Sequence, residues 1–281
     1  FSSRRRHTRY ISVTGVQTCA LPISPRRRIP VVLSDVLTHS PLVACRTADV
    51  QRTARATSTV RVANWNIRAA RSAPIEEIAA EIRALDADVI ALQEVDVRVR
   101  RTGYVDQPAV LAEGLGLHYA FAASIKWDGG DYGLAVLSRW PLAEVRRHRI
   151  AATDVGEPRI VMEVVACVDG RPLRLFNHHA DGRVSEREPG LAAVREVVTS
   201  AVGRGVVLLG DLNSDADAPG VRGLVEAGLR DLGAAANERT ADSGRIDYIF
   251  ADALFFARPP LVHVRQTDKS DHHAVIADLN W

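Results

Sequence analysis

The sequence predicts an α/β fold in one domain of about 220 residues, with sheets packed on each other and helices on their outer sides. Three observations carry this. From Thr59 onward, short apolar runs alternate with amphipathic stretches. The strand-like runs outnumber the helical ones. Most of those runs are apolar on both faces, as strands covered on both sides must be.

The elements follow in order. "TVRVANWNI" alternates as a strand, with Val60, Val62, Asn64 and Asn66 on one face. "APIEEIAAEIRAL" is a helix: Pro74 opens it, Glu76 and Glu77 suit its first turn, and Ile75, Ile78, Ile82 and Leu85 form a stripe. "ADVIALQEV" reads as a buried strand, residues 107–115 as a short helix, and "YGLAVLSRWPL" as a strand broken at Pro141. "RIVMEVVACV" and "RPLRLFNHHA" read as a strand pair joined by an Asp169–Gly170 turn. A helix is expected near 188–202, a strand at 205–210 and a helix near 219–227. "RIDYIFA" and "HHAVIADL" are the last strands.

The chain has 281 residues and a formal charge of +2, unevenly spread. Residues 1–58 hold ten Lys/Arg against two Asp/Glu, which leaves 26 and 32 for 59–281, a net of −6. An acidic body argues against nonspecific grip on long nucleic acid, which rests on basic side chains at phosphates. No apolar run approaches the ~20 residues of a membrane helix. "VTGVQTCALPI", residues 13–23, resembles the translated read-through of a sequencing adapter, so 1–24 are expected to be a library artefact. Residues 25–58 read as leader and linker, with "LVAC" at 42–45 resembling a degenerate lipoprotein signal. A bacterial protein, cytoplasmic or else exported and lipid-anchored, is expected accordingly. Three cysteines give no disulfide framework and no metal pattern, and Cys167 reads as a buried small hydrophobe.

The chemistry gathers at strand ends. "VVLLGDLNSD" runs from four apolar residues through Gly210 to Asp211, Asn213 and Asp215. Alone, that is a strand leaving the core through a polar turn. But "NWN" ends another strand with Asn64 and Asn66, "LQEVD" supplies Glu94, and "FNHHAD" supplies Asn177, His178, His179 and Asp181. "RIDYIF" carries Asp247, and "SDHHAV" puts Asp271, His272 and His273 at the start of the last strand. Converging strand ends make a cleft floor. Oxygen donors suit a hard cation, Mg²⁺ or Mn²⁺, and histidines beside carboxylates suit proton transfer near pH 7.

This set, in this order, resembles the endonuclease/exonuclease/phosphatase superfamily of metal-dependent phosphoesterases, over roughly residues 59–280. The resemblance implies a four-layer sandwich: two central, mostly antiparallel mixed β-sheets flanked by α-helices, with the catalytic domain over 59–281. It implies that Glu94 is the main metal ligand with Asn66 beside it and Asp271 in reach. It implies that Asp211 orients or deprotonates the attacking water, that Asn213 positions it, and that Asp247 hydrogen-bonds His272. The family's "NTHL" reads "NHHA" here. Alignment and strand parity both make His179 the functional histidine and His178 structural; His273 faces away likewise. Leu134 stands where members often carry Asn, which puts one substrate contact in doubt. Asp215 and Asp217 read as turn residues.

The expected reaction is hydrolysis of a phosphoester by direct attack of water. Short insertions and the acidic body resemble the compact bacterial branch and favour a small-molecule or lipid-headgroup ester, in a monomer. A nuclease is the alternative, with Arg98, Arg100 and Arg101 as a basic cluster. A catalytically inactive binding module is the third reading.

Overall fold

The computed structural model describes residues 31–36, 59–150, 156–255 and 260–280. Its strands are β1 (Val31–Val36), β2 (Thr59–Asn66), β3 (Val89–Val97), β4 (His118–Trp127), β5 (Gly130–Ser138), β6 (Leu142–Ile150), β7 (Arg159–Val168), β8 (Arg171–His179), β9 (Val206–Asp211), β10 (Arg230–Asp231), β11 (Asp247–Ala251), β12 (Leu261–Arg265) and β13 (Ala274–Asn280). The helices are α1 (Ile75–Leu85), α2 (Gln107–Leu115), α3 (Val184–Thr199) and α4 (Pro219–Glu226).

These strands form two sheets. Sheet A has the order β1-β6-β7-β8-β9-β11-β10 and sheet B the order β12-β13-β2-β3-β5-β4. Two neighbouring pairs are parallel, β2–β3 and β8–β9, and the connections between them carry α1 and α3. The other pairings are antiparallel, so the sheets are mixed as expected.

Strand alternation sorts the side chains into layers. Val60, Val62, Val89 and Ala91 of sheet B meet Leu173, Leu175, Val207 and Leu209 of sheet A in a core between the sheets. The other face of sheet B, with Trp65, Ile90 and Leu92, packs on Ile78, Ile82 and Leu111 of α1 and α2. The other face of sheet A, with Phe176, Leu208 and Phe250, packs on Leu191, Val194 and Leu224 of α3 and α4. The result is the four-layer sandwich that the sequence implied. Each fully buried aliphatic side chain in it contributes about 1.5–3 kcal/mol.

Several elements depart from the sequence reading. β4, β6 and β12 were not anticipated as strands. β6 and β12 carry arginine and histidine within them and are partly exposed, which breaks the apolar signature. α3 begins at Val184 rather than near 188, with Pro189 inside it. The Pro–Gly pair in its second turn reads as a boundary, although Pro is tolerated near a helix start. Val31–Val36, within the stretch read as leader, runs antiparallel along β6 and becomes the edge of sheet A. The rest of the leader, the adapter-like segment and "LVAC" lie outside the described residues. Cys167 is half-buried and disulfide-bonded, which corrects its reading as a simple buried hydrophobe. Among the described residues no helix is long and apolar enough to cross a membrane.

Candidate active site

Three neighbouring strands of sheet A place the site on one rung. His179 of β8 is in register with Asp211 of β9, and Asp211 is in register with Asp247 of β11. Parity puts His179 and Asp211 on the face of Leu175 and Leu209, toward sheet B. The approach of β8 to β9 explains the glycine of "GDLN": a Cβ on Gly210 would lie 2.3 Å from the His178 carbonyl oxygen. Asn213 then turns the chain at φ +48°. Its backbone N–H donates to Asp211 Oδ1 (2.9 Å) and its side-chain amide to the Ala180 carbonyl (3.1 Å), locking the loop to the end of β8.

Sheet B supplies the opposite wall. In β3, Leu92 pairs with Ala135 and Val95 with Gly133, so Gln93 and Glu94 together oppose Leu134. This bulge re-aims the strand end. Gln93 stays in the interior, donating to Asn64 Oδ1 (2.8 Å) and Asn177 Oδ1 (2.7 Å), and so bolts the two sheets together. Glu94 takes a left-handed φ of +54° and comes out half-buried. Such a backbone costs on the order of 1–3 kcal/mol and is held only by its surroundings. Leu134 is buried in the inter-sheet core, so no amide stands at that position.

Asn66 bridges the sheets. Its Nδ2 donates to Glu94 Oε1 (3.1 Å) and to Asp211 Oδ2 (3.0 Å). Two carboxylates thus converge on one amide group, which is where positive charge is needed. Glu94 is a hard oxygen donor of the kind that Mg²⁺ or Mn²⁺ prefers and fits such an ion, whereas Asn66 beside it turns its NH2 to Glu94 and its Oδ1 to the Arg68 N–H (3.0 Å). Asp271 stands at the rim, half-exposed, paired with Arg68 (3.2 Å) and accepting from the Ser270 hydroxyl (3.3 Å).

Asp211 Oδ2 is the focus of the site. Besides Asn66, it faces His179 Nε2 at 3.4 Å and His272 Nε2 at 3.6 Å. Those two distances are long for hydrogen bonds and leave both imidazoles with bonding capacity toward a ligand. Asp247 accepts from His272 Nδ1 at 2.9 Å, as the sequence implied. Asp211, Asp247 and His272 form a compact cluster with a possible ligand atom each, all within 4.8 Å. His272 already donates to Asp247 there, so the cluster is built first as a proton-holding pair beside a carboxylate.

The electrostatics separate the groups. Burial, then the nearby Asp247 charge, raise Asp211 to about 7 against the opposing pull of His272 and Asn66. Burial works against a charged His272, yet the hydrogen bond and charge of Asp247, with Asp211 and Asp271, raise it to about 9. Burial and then the Arg159 guanidinium hold His179 well below its ordinary range. Arg159 also fixes the tautomer of His179. Its Nη1 lies 3.2 Å from His179 Nδ1, and a guanidinium can only donate. Nδ1 is therefore the acceptor, and the proton sits on Nε2, facing Asp211.

His178 is the structural histidine that parity predicts. It is buried, its Nδ1 donates to the Ile160 carbonyl (2.8 Å), and burial lowers it to about 4. His273 is engaged elsewhere, accepting from the Thr267 N–H (3.3 Å). Asp215 and Asp217 are exposed in the turn after β9. Sequence reasoning missed Arg159 and the Glu157 that holds it at 3.0 Å. Depth does not mark the site either: a cavity of about 560 Å³, lined by Arg98, Tyr119, Phe121 and Lys126 among others, lies by the β4 edge of sheet B.

Comparison with known proteins settles the ancestry. The sequence profile of the Endonuclease/Exonuclease/phosphatase family matches residues 63–272. The chain belongs to this family. Its relatives include the uncharacterized protein YbhP of Escherichia coli K12, 25% identical over 224 residues, which span 73% of this chain and 88% of YbhP. An endonuclease/exonuclease/phosphatase from Beutenbergia cavernae superposes with a TM-score of 0.61 at 25% identity, covering 79% of this chain and 72% of that one. The mannosyl-6-phosphatase Bt3783 of Bacteroides thetaiotaomicron shares the fold, with a TM-score of 0.63 at 21% identity over 79% of this chain and 100% of that one. The chain is thus a hydrolase of the endonuclease/exonuclease/phosphatase superfamily.

Proposed function

We propose that this family member is a metal-dependent phosphoesterase that hydrolyses a small-molecule or lipid-headgroup phosphodiester or phosphomonoester by direct attack of water. The observation that carries the reading is the convergence of His179 Nε2 and His272 Nε2 on Asp211 Oδ2 opposite Glu94. A neutral N–H donor and a protonated imidazole are thereby aimed at one point, where a phosphoryl oxygen develops charge.

Each residue then has a task. Asp211, raised to about 7, takes a proton from the attacking water at neutral pH. Asn213, tied back to Ala180, keeps the loop after Asp211 in place. His179 donates from Nε2 to a phosphoryl oxygen. His272, kept protonated by Asp247, supplies charge and a proton toward the leaving group. Glu94, with Asn66 beside it, would hold Mg²⁺ or Mn²⁺, which would supply positive charge for the phosphoryl oxygens. Asp271 completes the rim on that side.

The small-ester reading draws on the basic residues. Arg100 pairs with Asp128 (2.9 Å) and Arg101 with Asp96 (2.8 Å), so the stretch that a nuclease would use for phosphates is largely neutralised. The mannosyl-6-phosphatase among the fold relatives supports the same choice. An inactive binding module would be expected to lack some of the chemical groups, whereas this chain carries Glu94, His179, Asp211, Asp247 and His272 together.

A screen of bis-p-nitrophenyl phosphate, hexose phosphates, sphingomyelin and plasmid DNA, with and without Mg²⁺, tests this. Turnover of small esters that stops in excess chelator is expected, as is a severe loss in Glu94→Ala. Full activity in chelator would refute the metal role, and preference for DNA would refute the substrate class.

A further inference from the structure

The cleft floor on sheet B continues beyond Glu94. Asp96 of β3 pairs with Tyr132 of β5, and Trp127 of β4 pairs with Gly130 at the hairpin end. Alternation along β5 puts Tyr132 on the face of Leu134 and Val136, which lie in the core between the sheets. Tyr132 therefore stands where that core opens into the cleft. Diagonal neighbours on one sheet face are about 7–8 Å apart, so the phenol reaches the neighbourhood of the Glu94 carboxylate. The charges of Glu94, Glu157, Arg159 and Arg101 all bear on this phenol.

Arg101 organises the aromatic rings. Its guanidinium sits 5.8 Å from the Trp127 ring centroid and 5.3 Å from that of Tyr132. Both of its contacts with Asp96 are 2.8 Å, a two-pronged pairing with a fully buried carboxylate. That pairing neutralises the guanidinium, so Arg101 is not free to hold a second phosphate. It offers the Trp127 ring, 47% exposed, and the Tyr132 hydroxyl, which no described residue bonds. An apolar plate beside an unbonded hydroxyl suits a neutral ring that carries hydroxyl groups. The C–H face of such a ring packs on the indole, and its hydroxyls bond the phenol.

We propose that Trp127 and Tyr132 form a subsite for the alcohol half of the phosphoester, a hydroxylated ring such as a hexose or cyclitol, with Arg101 as the residue that positions both aromatic rings. The proposal rests on the phosphoesterase reading for its phosphate end.

Equilibrium binding of hexose 6-phosphate, thymidine 5′-phosphate and methyl phosphate in Mg²⁺, measured by calorimetry, tests it. Wild-type protein should bind hexose 6-phosphate about tenfold more tightly than methyl phosphate, the scale of one aromatic contact. Trp127→Ala should bring that ratio close to one, and Tyr132→Phe should reduce it severalfold. Equal binding of hexose and methyl esters by the wild type would overturn the subsite. Tighter binding of thymidine 5′-phosphate, lost in Trp127→Ala, would overturn the sugar in favour of a base. Failure of all three to bind would overturn both subsite and phosphate site. A wild type that shows the hexose preference but hydrolyses no ester in the screen would sink the proposed reaction and leave the subsite standing.

Discussion

His178 and His179 are adjacent, both buried, and opposite in consequence. Replacing His179 by Ala removes the Nε2–H that Arg159 directs toward Asp211 Oδ2, 3.4 Å away. Losing one donor to a developing oxyanion costs about 10²–10³ in rate. Replacing His178 by Ala instead orphans the Ile160 carbonyl, which accepts from Nδ1 at 2.8 Å. An unsatisfied buried carbonyl costs about 1–3 kcal/mol, and the space left by the ring adds to that. His178→Ala should therefore keep kcat within about tenfold and lower the unfolding free energy. Both histidines are held below their ordinary value by burial, so both add stability that is lost in acid, and the share of His178 can be sized. His178 lies near 4 when folded and has an ordinary value of 6.5. Below 6.5 the unfolded chain takes up a proton that the folded chain refuses until about pH 4. Stability is thus full above pH 6.5 and is lost as pH falls toward 4. At about 1.4 kcal/mol per pH unit the loss approaches 3 kcal/mol. Urea melts at pH 7 and pH 4.5, beside kcat at pH 7, read both effects. A dead His178→Ala with normal stability, or an active His179→Ala, would refute the strand register on which this reasoning rests.

Three further outcomes are expected. Asp247→Asn removes the main support of protonated His272, so the alkaline limb of kcat/KM, set by a group near 9 that is active below that pH, should move to lower pH; a limb that stays in place would show that His272 is not the group titrating. Arg159→Met should cost roughly tenfold in rate by freeing the His179 tautomer, and Arg159→Lys, which still donates, should recover part of it; equal loss in both would mean that charge or packing matters instead. A chain beginning at Thr59 should keep its activity, since every site residue follows that point. It should melt earlier, because it lacks the strand that covers the β6 edge. Unchanged melting would show that the edge strand adds nothing.

Most of the site was legible because strand parity and turn chemistry are local. Val207 and Leu209 fix the face on which Asp211 emerges, and Leu175 and Asn177 do the same for His179. Likewise Val60 and Val62 aim Asn66. The layers followed from runs apolar on both faces. The strands that were missed are partly exposed and lie toward the sheet edges. There one face is wet and arginine is tolerated, so alternation no longer announces a strand.

The residues of the candidate site that the sequence did not announce share a different cause. Arg159 matters because it is 3.2 Å from His179, yet twenty residues and a hairpin separate them, and an arginine opening a strand has no signature of its own. Arg101 looked like part of a basic run, Arg98 to Arg101, whose plain meaning is a solvated or polyanion-binding face. Folding reverses that meaning, because the buried Asp96 carboxylate takes the guanidinium and turns it into a brace for two rings. The same holds for Glu94: its identity was readable from "LQE", but its direction depends on a bulge in which two residues oppose Leu134. A sequence pattern names the groups that converge in the candidate site because their strands carry them there. The groups that set tautomer and direction, and those proposed to shape the other half of the substrate, act through contacts between strands, and only the packed sheets reveal them.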